Sequence, residues 1–162
     1  MYNFILDSDS LIKLANAGAL ADVCRAFNCI ATNEVKREAV DEGKKRMHPD
    51  ADTIEELIKS GLLKIKNPKN SVETADSLGK GELSILALNK EVKNHIIVSD
   101  DHAFLKKLEE ENHDFLVPAD LIPLLKNLNK ISQNEAAECL EKMKAFIKES
   151  HYGRIKKQLE GK

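Results

Sequence analysis

The chain has 162 residues, about the length of one domain and enough to bury a sizeable hydrophobic core. Apolar residues make up 42% and charged residues 32%, a composition typical of a soluble globular protein. Because 25 Lys and Arg stand against 27 Asp and Glu, the net charge of −2 argues against a uniformly basic nucleic-acid-binding surface, although not against a local basic stripe.

The charge is unevenly distributed along the chain. Residues 126–162 contain nine Lys and Arg against five Asp and Glu, a net charge of +4, so the first 125 residues carry −6. The acids are therefore in excess in the N-terminal part of the chain.

Neither the apolar runs of the chain nor its cysteines indicate export or membrane insertion. No apolar run approaches the roughly 18–20 residues that span a bilayer, and the start of the chain does not resemble a secretory signal. The cysteines, Cys24, Cys29 and Cys139, are an odd number without a C-x-x-C pair, which favours reduced thiols. We therefore expect a cytoplasmic protein without a membrane segment.

Short apolar runs alternate with helical patterns along the chain. The predicted strands are residues 3–6, 29–31, 62–65, 95–99 and 115–117. Helices are predicted at 11–18, 20–27, 32–40, 53–61, 83–92 and 118–125, with a further helix that buries Phe104, Leu105 and Leu108, and loops are predicted at 43–52 and 67–77. The helix at 53–61 is predicted to open with a capping box, Thr53-x-x-Glu56. Strands separated by helices predict an α/β domain with a mostly parallel sheet.

The C-terminal segment has a different pattern from the rest. Ser132 and Glu135 have capping-box spacing, and an apolar stripe follows at helical spacing, with a break expected near Gly153. We predict two units, an α/β domain over residues 1–128 and a helical extension over residues 129–162. The extension is expected to pack on the domain or on a partner.

Three acids follow directly after predicted strands. Asp7 ends the first strand, and Asp100 and Asp101 end the strand at 95–99. In open α/β sheets, ligands bind beyond the carboxyl ends of the strands, so these acids are expected at one edge if the strands are parallel neighbours. An Asp after a strand is also a common helix cap, which is the structural alternative for each of them.

Two glutamates lie on faces that are otherwise apolar. Glu38 shares a helical face with Val35 and Ala39, and Glu82 opens a helix whose apolar residues include Ile85. The structural alternatives are a salt bridge, or for Glu82 a favourable interaction with the helix dipole. Several carboxylates in one crevice would repel each other without a cation, and oxygen ligands without Cys or His suit Mg²⁺ or Mn²⁺.

Four segments together resemble PIN-domain ribonucleases. Residues 4–12, FILDSDSLI, resemble the strand ending in Asp that opens this family, and residues 35–38, VKRE, resemble its helical Glu. Residues 78–82, LGKGE, are similar to the G-x-G-E helix start of one prokaryotic subgroup, and residues 97–101, IVSDD, resemble the strand ending in T-x-D. The resemblance extends over about residues 3–125, and the helical tail is similar to the extension of that subgroup.

The resemblance implies a three-layer α/β/α fold and metal-dependent hydrolysis of phosphodiester bonds. In-line attack by water would leave a 3′-hydroxyl and a 5′-phosphate. The catalytic residues and ligands of one or two Mg²⁺ or Mn²⁺ ions would be Asp7, Glu38, Glu82 and Asp101. Asp100 is expected to be an auxiliary ligand. The supporting residues would be Ser8, which would hold the Asp7 carboxylate or cap the first helix, together with Asp9 and Ser99.

The partners follow from the same resemblance. RNA is the expected substrate, and many such proteins are toxins of toxin–antitoxin pairs, so an antitoxin protein and a homodimer are both possible partners. The charged stretch with Lys44, Lys45 and Arg46 is a candidate for RNA contact, and the alternative is an exposed loop without such a role.

The sequence is also compatible with two other functions. Asp7-Ser8-Asp9 also resembles the D-x-D of haloacid-dehalogenase-type phosphatases, with Asp7 as nucleophile and Asp9 as general acid/base. Against this, the predicted helix starts too early for the flap of that family. The third possibility is a non-catalytic PIN-like module that binds RNA or a protein.

Overall fold

A computed structural model describes residues 1–73 and 77–161 and has a five-stranded parallel sheet at its centre. The strands are β1 (Asn3–Leu6), β2 (Asn28–Ala31), β3 (Leu63–Ile65), β4 (Ile96–Val98) and β5 (Phe115–Leu116). Their order in the sheet is β3-β2-β1-β4-β5, and each neighbouring pair is parallel. The predicted three-layer α/β fold is confirmed.

Helices connect the strands and follow the sheet. They are α1 (Ser8–Asn16), α2 (Leu20–Ala26), α3 (Asn33–Lys36), α4 (Glu42–Lys45), α5 (Pro49–Lys59), α6 (Lys80–Glu91), α7 (His102–Glu110), α8 (Leu121–Asn127), α9 (Gln133–Met143) and α10 (Glu149–Leu159). A π-helical segment, Arg37–Asp41, joins α3 to α4 without a break. Short 3₁₀ turns at Pro118–Asp120 and Lys144–Phe146 precede α8 and follow α9.

The strand order places one crevice at the centre of the sheet. From β1 the chain crosses to β2 and β3 on one side, and then returns through α6 to β4 on the other side of β1. The carboxyl ends of β1 and β4 therefore flank the point where the direction of winding reverses, which is where open α/β sheets bind ligands. The register pairs Leu6 with Val98, so Asp7 and Ser99 follow these strands at the same level.

The hydrophobic core is built from the inner faces of these elements. Phe4, Ile5 and Leu6 are fully buried, as expected for a central parallel strand with both faces covered. The tail joins this core, because Leu140 of α9 and Ile155 of α10 are buried in the same cluster. The Ser132–Glu135 capping box is present as predicted.

The predicted loop at 43–52 is wrong. Its first part is helical as α4, and Pro49 begins α5 in the first-turn position that suits proline. Gly43 is buried, and a Cβ there would lie 3.0 Å from the Cβ of Ala51, so glycine lets the two helices approach closely. The predicted capping box at Thr53 is wrong for the same reason, because α5 has already begun.

Two smaller predictions need correction, and a third lies partly outside the described residues. The break in the tail lies at residues 144–148 rather than near Gly153, which is inside α10. Helix α6 begins at Lys80, three residues earlier than predicted. Of the loop predicted at 67–77, residues 74–76 lie outside the described part of the chain.

Candidate functional site

Asp7 is a buried carboxylate at the carboxyl end of β1. Only 6% of the residue is exposed, and its Oδ1 accepts a hydrogen bond from the Ser10 N–H at 2.8 Å, which caps α1. Burial raises the pKa of Asp7 to about 6, although hydrogen bonds from Ser10 and Ser99 lower it in part. The Asp7 charge is therefore costly at neutral pH, and a nearby cation would relieve that cost.

The end of β4 contacts Asp7 through Ser99. This fully buried serine lies close enough to Asp7 to lower the pKa of its carboxyl, and its Oγ accepts the N–H of Asp101 at 3.2 Å. Asp101 is exposed, and its Oδ1 caps α7 by accepting the Phe104 N–H at 2.8 Å. The structure thus places the predicted supporting residue Ser99 between two of the predicted ligands.

Asp100 has a partner of its own. Its Oδ2 lies 2.6 Å from Nζ of Lys13 on α1, and the two side chains are only 8% and 20% exposed. The pair ties the β4–α7 turn to α1. In this arrangement the Asp100 charge is already balanced, whereas that of Asp101 is not part of an ion pair within the described residues.

Glu38 lies in the π-helical segment Arg37–Asp41 that continues α3, against the start of α6. Its Oε2 accepts a hydrogen bond of 2.8 Å from the Ser8 hydroxyl, so the expectation that Ser8 holds Asp7 is wrong. The cap of α1 is Asp7 itself, so Ser8 is not the cap either. A Cβ on Gly81 would lie 2.9 Å from both carboxylate oxygens of Glu38, so the close approach depends on a glycine at this position.

Glu82 folds back over the start of its own helix. A Cβ on Gly79, the N-cap of α6, would lie 2.6 Å from Glu82 Oε2. This is the placement in which a carboxylate interacts favourably with the positive end of a helix. The two glycines of the G-x-G-E segment therefore make room for two carboxylates, Glu82 and Glu38.

A pair of hydroxyls joins α3 to α6 beside this segment. Ser84 Oγ donates to the Gly81 carbonyl at 2.7 Å, which leaves Thr32 Oγ1 to donate to Ser84 Oγ at 2.6 Å. Thr32 Oγ1 also accepts the Val35 N–H at 3.2 Å and so caps α3. The helices that carry Glu38 and Glu82 are therefore held together at their first turns.

The donors fit a hard divalent cation in type but are not gathered around one point. Carboxylate and hydroxyl oxygens are the ligands that Mg²⁺ and Mn²⁺ prefer. Within residues 1–73 and 77–161, however, no three His, Cys, Asp or Glu side chains are arranged to hold a metal ion. Asp7 is linked to Asp101 through Ser99, and Ser8 on the turn after Asp7 contacts Glu38, while Glu82 rests on Gly79.

The remaining predicted residues lie outside this network. Asp9 is exposed in the first turn of α1, and its charge contributes to raising the pKa of Asp7. Lys44 forms an ion pair with Glu55 on α5, which raises the pKa of Lys44, while Lys45 and Arg46 are exposed. The basic segment is therefore the end of a helix, not a loop.

Sequence reasoning missed Ser10 and Lys13. Ser10 is fully buried, and its hydroxyl donates to the Val98 carbonyl at 3.0 Å, which ties α1 to β4. The capping position of Asp7 was a usable signal for Ser10, because an N-cap side chain bonds the N–H two or three residues later. Lys13 offered no such signal, since its partner lies 87 residues away.

Comparison with known proteins supplies the family. A family model described as a PIN domain matches residues 3–160, nearly the whole chain and both of its predicted units. No curated protein and no solved structure matches the chain. No helix in the described ranges is long and apolar enough to cross a membrane. On the extent of the family match, the chain belongs to the PIN-domain family, whose members are generally metal-dependent nucleases.

Proposed function

We propose that this chain is a Mg²⁺- or Mn²⁺-dependent endoribonuclease whose site lies between the carboxyl ends of β1 and β4. The observation that carries the proposal is Asp7, a carboxylate that is 6% exposed and has a raised pKa at the ligand-binding crevice of the sheet. Such a group is destabilising without a cation and becomes favourable with one.

Each side chain has a distinct task in the proposed reaction. Asp7, Glu38, Glu82 and Asp101 would hold the ion, which supplies Lewis acidity for activating water and offsets charge on the scissile phosphate. Ser8 orients Glu38, and Ser99 orients Asp7 and the Asp101 backbone. Water then adds to phosphorus as the bond to the 3′-oxygen breaks and that oxygen takes up a proton.

The direct test is cleavage of mixed RNA with Mn²⁺ and with EDTA, followed by analysis of the product ends. We expect Asp7→Asn and Asp101→Asn to retain the fold and lose cleavage, while Asp114→Asn, at an exposed carboxylate, retains it. Full activity in both site variants, or activity that survives EDTA, would refute the metal assignment.

A role as the toxin of a toxin–antitoxin pair is the more specific form of this proposal. A toxin of this kind would arrest growth by cutting cellular RNA, so induction of the wild-type chain alone should stop growth and Asp7→Asn should not. Co-expression of the product of a short adjacent reading frame should restore growth. Normal growth with active, soluble nuclease would refute the toxin role but not the nuclease.

A non-catalytic module is the second candidate, because the described carboxylates do not form a ready-made metal site. Calorimetric titration with Mn²⁺ together with the cleavage assay separates the two, since a binding module would take up RNA without cutting it. The phosphatase alternative has lost its basis, because α1 begins at Ser8 and leaves no room for a flap after Asp9, and residues 3–160 match a PIN domain.

A further inference from the structure

A cleft beside the proposed site is not used by any of the chemistry above. It has a volume of about 290 Å³ and runs along the face of α6 that carries Lys80, Leu83 and Ala87. Its other sides are formed by Pro68 and Val72 and by Glu34 of α3, and most of its lining is apolar; we call it the α6 cleft. Its size is at the lower limit for ligand pockets, which suits one planar group rather than a protein segment.

The wall opposite α6 is held by hydrogen bonds. The Glu91 carboxylate accepts the N–H groups of Lys69 and Asn70 at 2.8–2.9 Å, which fixes the segment between Pro68 and Val72 to the end of α6. At the other end, the Asn67 side chain accepts the Asn33 N–H at 2.8 Å. The α6 cleft is therefore bounded by anchored elements on both sides.

The α6 cleft adjoins the proposed site through two short connections. Glu34 lies one helical turn before Glu38, and Lys80 directly precedes Gly81, on which the Glu38 carboxylate rests. Two lining residues of the cleft, Glu34 and Lys80, are therefore close in sequence to Glu38 and to the glycine against which Glu38 lies. This arrangement suits the base of a nucleotide whose phosphate is near the carboxylates.

The two charged residues that line the α6 cleft, Lys80 and Glu34, have opposite charges. Lys80 lies in the first turn of α6, where a phosphate would also meet the positive end of the helix. Glu34 accepts both hydrogen bonds from Arg37 on Oε2, so within the described residues Oε1 keeps its lone pairs for a ligand. The α6 cleft thus combines an apolar lining with a cation, Lys80, for a phosphate and an acceptor, Glu34, for an amino group. These features are complementary to a nucleotide.

We propose that the α6 cleft binds the base of a nucleotide adjacent to the scissile phosphate, with Lys80 at its phosphate and Glu34 accepting from an exocyclic amino group. This inference rests on the proposed ribonuclease function. Adenine, cytosine and guanine carry such an amino group, whereas uracil has none and presents carbonyl oxygens that a carboxylate repels. The Glu34 carboxylate therefore selects bases with an amino group, among them adenine and cytosine, against uracil.

The test measures RNA binding in EDTA, where no cleavage occurs. Fluorescence anisotropy of labelled ten-residue oligomers of A, C and U gives the affinity of the full-length chain for each. We expect the wild type to prefer A and C over U by about tenfold, and Glu34→Gln to reduce that preference. Arg37→Gln is the matched control, because it removes the partner of Glu34 but leaves the carboxylate in the cleft.

Lys80 is tested by salt dependence. Loss of one phosphate contact reduces the slope of log affinity against log salt by about 0.7 for a single strand. We expect this change in Lys80→Gln for all three oligomers and no change in Lys93→Gln, which removes an exposed lysine beyond the end of α6. Thermal unfolding of each variant verifies that it is folded.

The outcomes separate the cleft from the nuclease. Equal wild-type affinity for the three oligomers, no RNA binding at all, or unchanged behaviour of both Glu34→Gln and Lys80→Gln would overturn the cleft, even if Mn²⁺-dependent cleavage is observed. A lost base preference in Glu34→Gln, retained in Arg37→Gln, would support the cleft even if the chain cleaves no RNA.

Discussion

Replacing Asp7 by Asn should stabilise the metal-free protein at neutral pH. Asn is as good a helix cap as Asp, so the hydrogen bond from the Ser10 N–H can be kept. What changes is the charge. Burial raises the pKa of Asp7 from 3.8 to about 6, and two pKa units correspond to about 3 kcal/mol at pH values above 6. This value is the upper limit of the expected increase in the free energy of unfolding on replacing Asp7 by Asn.

The contribution of Asp7 to stability depends on pH, because the folded and unfolded chains bind its proton with different affinity. Between pH 3.8 and pH 6 the folded chain binds more protons at Asp7 than the unfolded chain, so its stability falls as the pH rises through this range. At pH 4.5 the unfavourable contribution is about 1 kcal/mol, and at pH 7.5 it is about 3 kcal/mol. The advantage of Asp7→Asn should therefore grow by about 2 kcal/mol between these two pH values.

Urea unfolding in EDTA at pH 4.5 and pH 7.5 measures this difference. Asp114→Asn is the control, because an exposed carboxylate should give nearly the same free energy of unfolding as the wild type at both pH values. A loss of stability in Asp7→Asn at pH 7.5, or a gain that is the same at both pH values, would refute the argument that desolvation of Asp7 dominates.

Three further predictions concern the surroundings of the site. Mn²⁺ should raise the unfolding temperature of the wild type and EDTA should reverse the rise, because a ligand that binds only the folded state stabilises it. Scanning calorimetry measures this temperature, and the absence of a shift would show that the site binds no metal. Gly81→Ala should lower cleavage at least tenfold, because the added methyl group displaces Glu38. Gly153→Ala is the control: its methyl group enters open space, so it should add about 0.5–1 kcal/mol of stability and leave activity unchanged. Equal activity of the two variants would contradict the role of the contact between Gly81 and Glu38. Lys13→Met should cost about 2 kcal/mol, less than breaking a fully buried pair, and a double-mutant cycle with Asp100→Asn should show coupling rather than additive losses.

The strands and their acids were predictable because local patterns determine them. The apolar run of β1 ends at Asp7, and that of β4 ends before Asp100 and Asp101, so their common edge followed once the strands were taken as parallel. Capping chemistry is also local, and it placed the starts of α3 and α9 correctly.

The arrangement of side chains at the site was less predictable, because it depends on contacts between distant segments. Ser8 was assigned to its neighbour Asp7, but its hydroxyl meets Glu38, 30 residues away. The charged composition around Gly43 suggested a loop, yet the segment is helical and its glycine is buried against Ala51. Local composition contains no information on either contact.

The parallel sheet also determines when the site can exist during synthesis. Its central strand, β1, is made first, but its neighbour β4 is made last but one, and Ser10 bonds to Val98 across 88 residues of chain. Pairings that close such long loops form slowly and late. A nascent chain that has not yet exposed β4 lacks Ser99, Asp100 and Asp101, so the half-made protein cannot hold the complete set of acids. Among the described strands every pairing is parallel, so no hairpin brings β1 and β4 together early, and the crevice between them cannot close before residues 96–98 have been made.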